Sequence, residues 1–240
     1  MKSILAVFVT ACLLASNAMA LDIAALERAM ANPQRAAADK ERDASRKAPQ
    51  VLDFLGLEAG MSVLDINAST GWYTEVLSYA VGPNGKVYAQ NTPGNPRGDA
   101  SIAAIAEKTQ RLSNIESWES PISELPANSI DFAITALNYH DFYNNDPAVA
   151  SRIMAQVMHA LKPGGILGII DHQGNPGADN RTLHRIAVSD VVKSITADGF
   201  VVVGLSDVLD NPADDHTLHQ GDDSLQRNTD RFVLKVMKPH

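Results

Sequence analysis

Short apolar runs alternate along most of this chain with longer amphipathic stretches of helical period, and Gly, Pro, Asn or Asp closes most of the runs. The runs predict strands over residues 62–66, 86–90, 115–119, 130–137, 166–171, 200–206 and 231–237, with helices between them. The clearest helix spans 147–161. There Asp146 can cap, Pro147 suits the first turn, and Ala150, Ile153, Met154, Val157 and Leu161 line one face before Lys162-Pro163-Gly164-Gly165 stops it. Ahead of the first strand, residues 21–46 are rich in Ala, Arg, Glu and Asp and are broken at Asn32-Pro33, which predicts two helices. Asp43, Arg46 and Lys47 mark that stretch as charged and solvated. Val51, Leu52 and Leu55 then form a short stripe that ends at Leu57 and a turn at Gly60, and Trp118 is expected in the core.

Strands alternating with helices imply an α/β fold, a doubly wound and mostly parallel sheet with helices on both faces, whose ligands bind beyond the carboxyl ends of the strands. Function is then expected in the loops at 67–71, 91–99, 138–146 and 172–180. The length of 240 residues accommodates one such domain over 57–240 behind a helical extension over 21–56. Twenty-eight acids against 20 bases, a net charge of -8, argue against a nucleic-acid partner, because phosphate binding needs clustered cations. Lys2, an apolar run over 4–15 and Ala18-Met19-Ala20 read as a cleavable secretory signal over 1–20, which places the mature protein in the periplasm without membrane insertion. A lipoprotein site at Val9-Thr10-Ala11-Cys12 would leave too short an apolar run before it. Cys12 is the one cysteine, so a mature chain has no disulfide, thiolate metal site or cysteine nucleophile.

Val63-Leu64-Asp65-Ile66-Asn67-Ala68-Ser69-Thr70-Gly71 resembles the first motif of class I S-adenosylmethionine-dependent methyltransferases, a strand ending in Asp and a glycine-rich turn into a helix. Val87 to Asn91, Ser129 to Ala133 and Leu161 to Leu167 resemble the ends of that family's second strand, its fourth strand and the turn into its fifth. Gly71 to Glu75, Asn138-Tyr139-His140-Asp141, Asp171-His172 and His184-Arg185 resemble a small group of exported methyltransferases. The resemblance implies a Rossmann-like sheet of seven strands, S-adenosylmethionine as cofactor and methyl transfer to a small-molecule acceptor. It implies that Asp65, Asn67, Ser69 and Gly71, with Gln90 or Asn91, Glu119 and Asn138, surround the cofactor. Asn67 and Ser69 stand where the family has glycine, adding bulk to the turn, and Gln90 or Asn91 replaces the acid that bonds the ribose hydroxyls.

His140 and Asp141 follow the fourth strand, and Asp171 and His172 end the fifth. With a pKa near 6.5, His140 suits the role of a base acting on the acceptor, and Asp171-His172 places a second imidazole beside the His140-Asp141 pair, so that Tyr139, His140 and His172 would orient and deprotonate the acceptor. The same residues also fit plain helix capping, and His184 fits either the pocket or solvent. No metal ligand is assigned: the loop over 214–223 has His and Asp at ligand-like spacing, but loops this acidic are usually solvated. Two other readings remain open, a non-catalytic periplasmic binding or accessory protein on a degenerate methyltransferase fold, and hydrolysis or metal-assisted chemistry at the His-Asp cluster.

Overall fold

The computed structural model describes residues 19–240; residues 1–18, which carry nearly all of the expected export segment, lie outside the described residues. Helices α1 (Ile23–Met30), α2 (Ala37–Lys40), α3 (Asp43–Arg46) and α4 (Ala48–Leu55) come first, with a two-stranded ladder between β1 (Met19–Ala20) and β2 (Glu58–Ala59). The main sheet holds β3 (Ser62–Ile66), β4 (Lys86–Gln90), β5 (Ile115–Trp118), β6 (Ile130–Ala136), β7 (Leu161–His172), β8 (Val201–Ser206) and β9 (Arg231–Met237). Its order is β5-β4-β3-β6-β7-β9-β8, and β9 runs antiparallel to both of its neighbours. The connecting helices are α5 (Trp72–Val81), α6 (Pro96–Thr109), α7 (Tyr139–Asn145), α8 (Pro147–Ala160), α9 (Asn180–Leu183) and α10 (Val188–Ala197). Among the described residues no helix is long and apolar enough to cross a membrane.

Alternate residues of each strand serve opposite faces, so the sheet has two cores. Val63, Phe132 and Ile134 join α1, α4 and α5 on one side, while Leu64, Ile66, Ala133 and Leu167 join α7, α8 and α10 on the other. The helices ahead of the sheet therefore share its core through Leu26, Met30, Val51 and Leu55.

The N-terminal stretch differs from its expectation. Three short helices replace two, and the stretch is solvated only in part: Lys47 is exposed, but Arg35 and Asp39 are buried. Arg35 donates to Met30 O at 2.7 Å and pairs with Asp43 at 2.5 Å, while Lys108 bridges Asp39 and Glu75 at 3.0 Å each. Buried charges persist only when paired, and the partners come from α3 for Arg35 and from α5 and α6 through Glu75 and Lys108. Strand β7 also starts earlier than expected, at Leu161, because Leu161 pairs with Ile130 and a bulge absorbs the Pro163-Gly164 turn. Trp118 is half-buried and not in the core, edge-on to Tyr88 with its indole N–H on Pro121 O.

Candidate functional site

The turn after β3 takes the left-handed conformation at three alternating positions, with φ of 50° at Asn67, 52° at Ser69 and 81° at Gly71. Asn tolerates this region better than most residues, and local hydrogen bonds hold Ser69 in it. The Ser69 N–H donates to Asn91 Oδ1 at 2.9 Å, and Asn91 Nδ2 donates back to Ser69 O at 3.1 Å. The Asn67 N–H donates to Gln90 Oε1 at 3.1 Å, and Asn67 Nδ2 donates to Asn138 Oδ1 at 3.0 Å. The amides at the ends of β4 and β6 thus brace the turn. Asn91 is 2% exposed and spends both side-chain polar atoms on Ser69, whereas Gln90 keeps its amide nitrogen in reach of a cavity, 3.5 Å from Thr92 Oγ1. Gly71 serves packing: a Cβ there would lie 2.5 Å from Ile105 Cδ1.

Asp65 lies beneath the turn and accepts from Thr74 Oγ1 at 2.6 Å. Burial pushes its carboxyl up to about 7, against the opposing pull of that hydrogen bond and of Arg46. Arg46, expected in solvent, instead stacks 4.5 Å over the Trp72 ring and forms no salt bridge among the described residues. Burial lowers its pKa to about 10, which leaves it cationic at neutral pH.

Three cavities run round the turn. One of about 340 Å³ is lined by Ile66, Asn67, Gln90, Glu119, Ile122 and Phe142. A second, about 170 Å³, holds Arg46, Asp65, Asn67, Ser69, Trp72 and Asn138, so the two meet at Asn67. The third, about 800 Å³, meets the second at Arg42, Arg46, Arg97 and Leu137 and reaches His172 and Arg231.

Asp171, fully buried at the end of β7, accepts from the His140 N–H and faces His140 Nδ1, both at 2.7 Å. His140 Nε2 lies 3.3 Å from Asp141 Oδ1. Burial alone favours a neutral ring, but the hydrogen bonds and charges of Asp141 and Asp171 outweigh it and push His140 up to about 10. The expectation of a base titrating near 6.5 therefore does not hold for His140. His172, with its ring 5.7 Å away, is pulled well below the usual histidine value by burial first and by His140 and Arg231 next. Its Nδ1 is 2.6 Å from Thr229 Oγ1. Tyr139 does not join this group; it is buried against α10 with its hydroxyl on Ser194 Oγ.

No family model matches the chain. The crystal structure of a SAM-dependent methyltransferase from Aquifex aeolicus is similar over 90% of this chain and 98% of that one, with a TM-score of 0.62 and 21% identity. The cyclase SpnF is similar over 87% and 85%, with a TM-score of 0.62 and 19% identity. The fold is that of the class I methyltransferases. Among curated proteins, the demethylmenaquinone methyltransferase of Lactococcus lactis subsp. lactis (strain IL1403) is 31% identical over 111 residues, 46% of this chain and 42% of its own length. That of Staphylococcus aureus (strain JH9) is 30% identical over 118 residues, 49% and 46%. The chain thus spans less than half the length of these relatives.

On this methyltransferase fold, the carboxyl ends of β3, β4, β6 and β7 bring together Asp65, Asn67, Ser69, Gln90, Asn91, Asn138, His140, Asp141, Asp171 and His172. Glu119 stands apart at the rim of the 340 Å³ cavity. Arg46 was missed because charge pattern alone does not reveal an aromatic ring waiting beneath it. Several acids and histidines of the 214–223 loop are engaged: Asp214 pairs with Arg185 at 3.0 Å, His216 with Asp230 at 2.7 Å, Asp222 accepts from Ser224, and the His219 ring lies 5.1 Å from that of His184.

Proposed function

We propose that the protein transfers a methyl group from S-adenosylmethionine to a small anionic acceptor. The observation that carries this reading is the string of three cavities around a turn held open at Asn67 and Ser69. The residues fit the cofactor. Ile122 and Phe142 offer apolar walls that would take a purine, Gln90 Nε2 and Glu119 line the same cavity and would hold ribose hydroxyls, and Arg46, which forms no salt bridge among the described residues, would hold the methionine carboxylate. When bound, S-adenosylmethionine supplies an electrophilic methyl group on a sulfonium.

The chain's own part is alignment and proton removal. The 800 Å³ cavity is lined by five arginines, Arg42, Arg46, Arg97, Arg227 and Arg231, against Asp222 and Asp223, a local excess of positive charge in an acidic protein. An acceptor carrying a carboxylate, phosphate or sulfonate is drawn there. With His172 Nδ1–H donated to Thr229 Oγ1, Nε2 is the atom left to take the acceptor's proton. A closed turn would favour a binding role without transfer, but Asn67 lines a cavity on either side of it and Ser69 lines one of the two. The location we propose is the periplasm, on the pattern of residues 1–20, which requires cofactor to be supplied outside the cytoplasm.

The test is production of S-adenosylhomocysteine from S-adenosylmethionine over a panel of acidic and neutral acceptors. Turnover is expected with acidic ones, and His172→Ala should slow it about 100-fold with cofactor affinity unchanged. A preference for neutral acceptors, or equal loss of affinity and rate in the variant, contradicts the assignment.

A further inference from the structure

We propose that His140, Asp141 and His184 bind a divalent transition-metal ion. His140 and Asp141 lie on the first turn of α7, and His184 follows α9 in the left-handed conformation at φ 50°. His140 Nε2 is 3.3 Å from Asp141 Oδ1, His184 Nδ1 is 3.4 Å from the same oxygen, and the three ligand atoms lie within 4.8 Å of one another. Zinc bonds of about 2.0–2.1 Å in tetrahedral geometry set ligand atoms about 3.3–3.4 Å apart, so two edges of such a polyhedron are already present. The third closes through the His184 ring, whose side chain is half exposed and lies edge-on between the rings of His140 and His219.

A second observation is independent of those spacings. The buried carboxylate of Asp171 holds His140 from behind, with one oxygen on Nδ1 and the other on the backbone N–H, each at 2.7 Å. This is the arrangement by which a carboxylate fixes the orientation of a metal-binding imidazole and raises its basicity, and it aims Nε2 at Asp141 and His184. Charge agrees. Asp141 and Asp171 place two negative charges around two imidazoles, with Arg97 the further cation acting on Asp141, and a divalent ion cancels those two charges as the proton on Nε2 leaves to solvent.

The donor set selects the ion. Calcium takes six to eight oxygen ligands, and magnesium keeps much of its water; two imidazoles and one carboxylate suit zinc or another first-row ion. Three protein ligands leave a coordination position open, as catalytic sites do and structural sites do not. His184, with no assigned part in the fold's chemistry, thereby gains a role. The inference stands apart from methyl transfer and holds or fails without it.

The experiment is titration of chelator-treated protein, purified without a polyhistidine tag, with Zn2+ by calorimetry and with Co2+ by visible absorption. One equivalent of Zn2+ bound at micromolar or tighter affinity, and an intense tetrahedral Co2+ band, are expected. His184→Asn, which tolerates the left-handed turn, and Asp141→Asn should each weaken Zn2+ binding at least tenfold, while His159→Ala, far away on α8, should not. Absence of binding, or binding equal in wild type and both variants, overturns the site and leaves His140 as an imidazolium held between two carboxylates.

Discussion

Asn91 is, with Gln90, one of the two residues that stand where the methyltransferase resemblance leads one to expect an acid bonding the cofactor's ribose, and the structure gives it a different task that Asn91→Asp isolates. Asn91 accepts from the Ser69 N–H at 2.9 Å and donates to Ser69 O at 3.1 Å, at a site 2% exposed. Aspartate keeps the acceptor but sets an oxygen against the Ser69 carbonyl. One hydrogen bond is lost and a part-buried carbonyl is left facing a carboxylate oxygen, which together cost about 2–3 kcal/mol. At about 2–4 °C per kcal/mol for a chain of this size, the thermal midpoint should fall by about 4–12 °C, read by circular dichroism at pH 8. The drop should shrink at pH 5, because a protonated carboxyl donates to Ser69 O again. Gln90→Glu is the contrasting change. Gln90 Oε1 accepts from the Asn67 N–H at 3.1 Å and its Nε2 makes only a 3.5 Å contact, so glutamate keeps the brace and adds a charged acceptor at the 340 Å³ cavity. It should leave stability within about 1 kcal/mol and tighten S-adenosylhomocysteine binding by up to about tenfold. A midpoint for Asn91→Asp within about 1 °C of wild type, together with tighter nucleoside binding, would refute the assignment of Asn91 to the turn.

Asp65, with its carboxyl at about 7 against an ordinary 3.8, favours the folded state below the unfolded value and loses that contribution as pH rises through 7. Urea unfolding of wild type should therefore show a decline between pH 4 and 7 of up to about 4 kcal/mol that Asp65→Asn removes; parallel profiles would contradict the burial argument. Gly71→Ala combines a left-handed φ of 81° with a Cβ 2.5 Å from Ile105 Cδ1 and should lower stability by about 3 kcal/mol in the same assay, with a loss under 1 kcal/mol counting against the packing role.

The middle of the sheet was legible because β3, β6 and β7 are mostly buried and read as nearly continuous apolar runs, whereas the edge strand β8 is largely exposed. Strands β3, β4 and β9 match their expected bounds end to end. Strand β7 was misjudged at its start, since Lys162-Pro163-Gly164-Gly165 carries every sign of a helix stop and only pairing with Ile130 makes it strand. Charged helices were the harder case. Arg35, Asp39 and Arg46 look solvated until α5 and α6 supply Glu75, Lys108 and Trp72, residues 26 or more positions away whose approach depends on topology. In the site, the Asp65 turn was visible as a motif, but the amides that hold it join positions 22, 23 and 71 residues apart. Tyr139 and His140 illustrate the same limit at short range: neighbours on a helix point about 100° apart, so one enters the core and the other the site.

The central claim is that the cavities around Asn67 hold S-adenosylmethionine, and calorimetric titration of the purified protein with S-adenosylmethionine and S-adenosylhomocysteine tests it most directly. Micromolar binding of both is expected, weakened by Arg46→Ala if Arg46 holds the methionine carboxylate as proposed. No binding of either at millimolar ligand would contradict it.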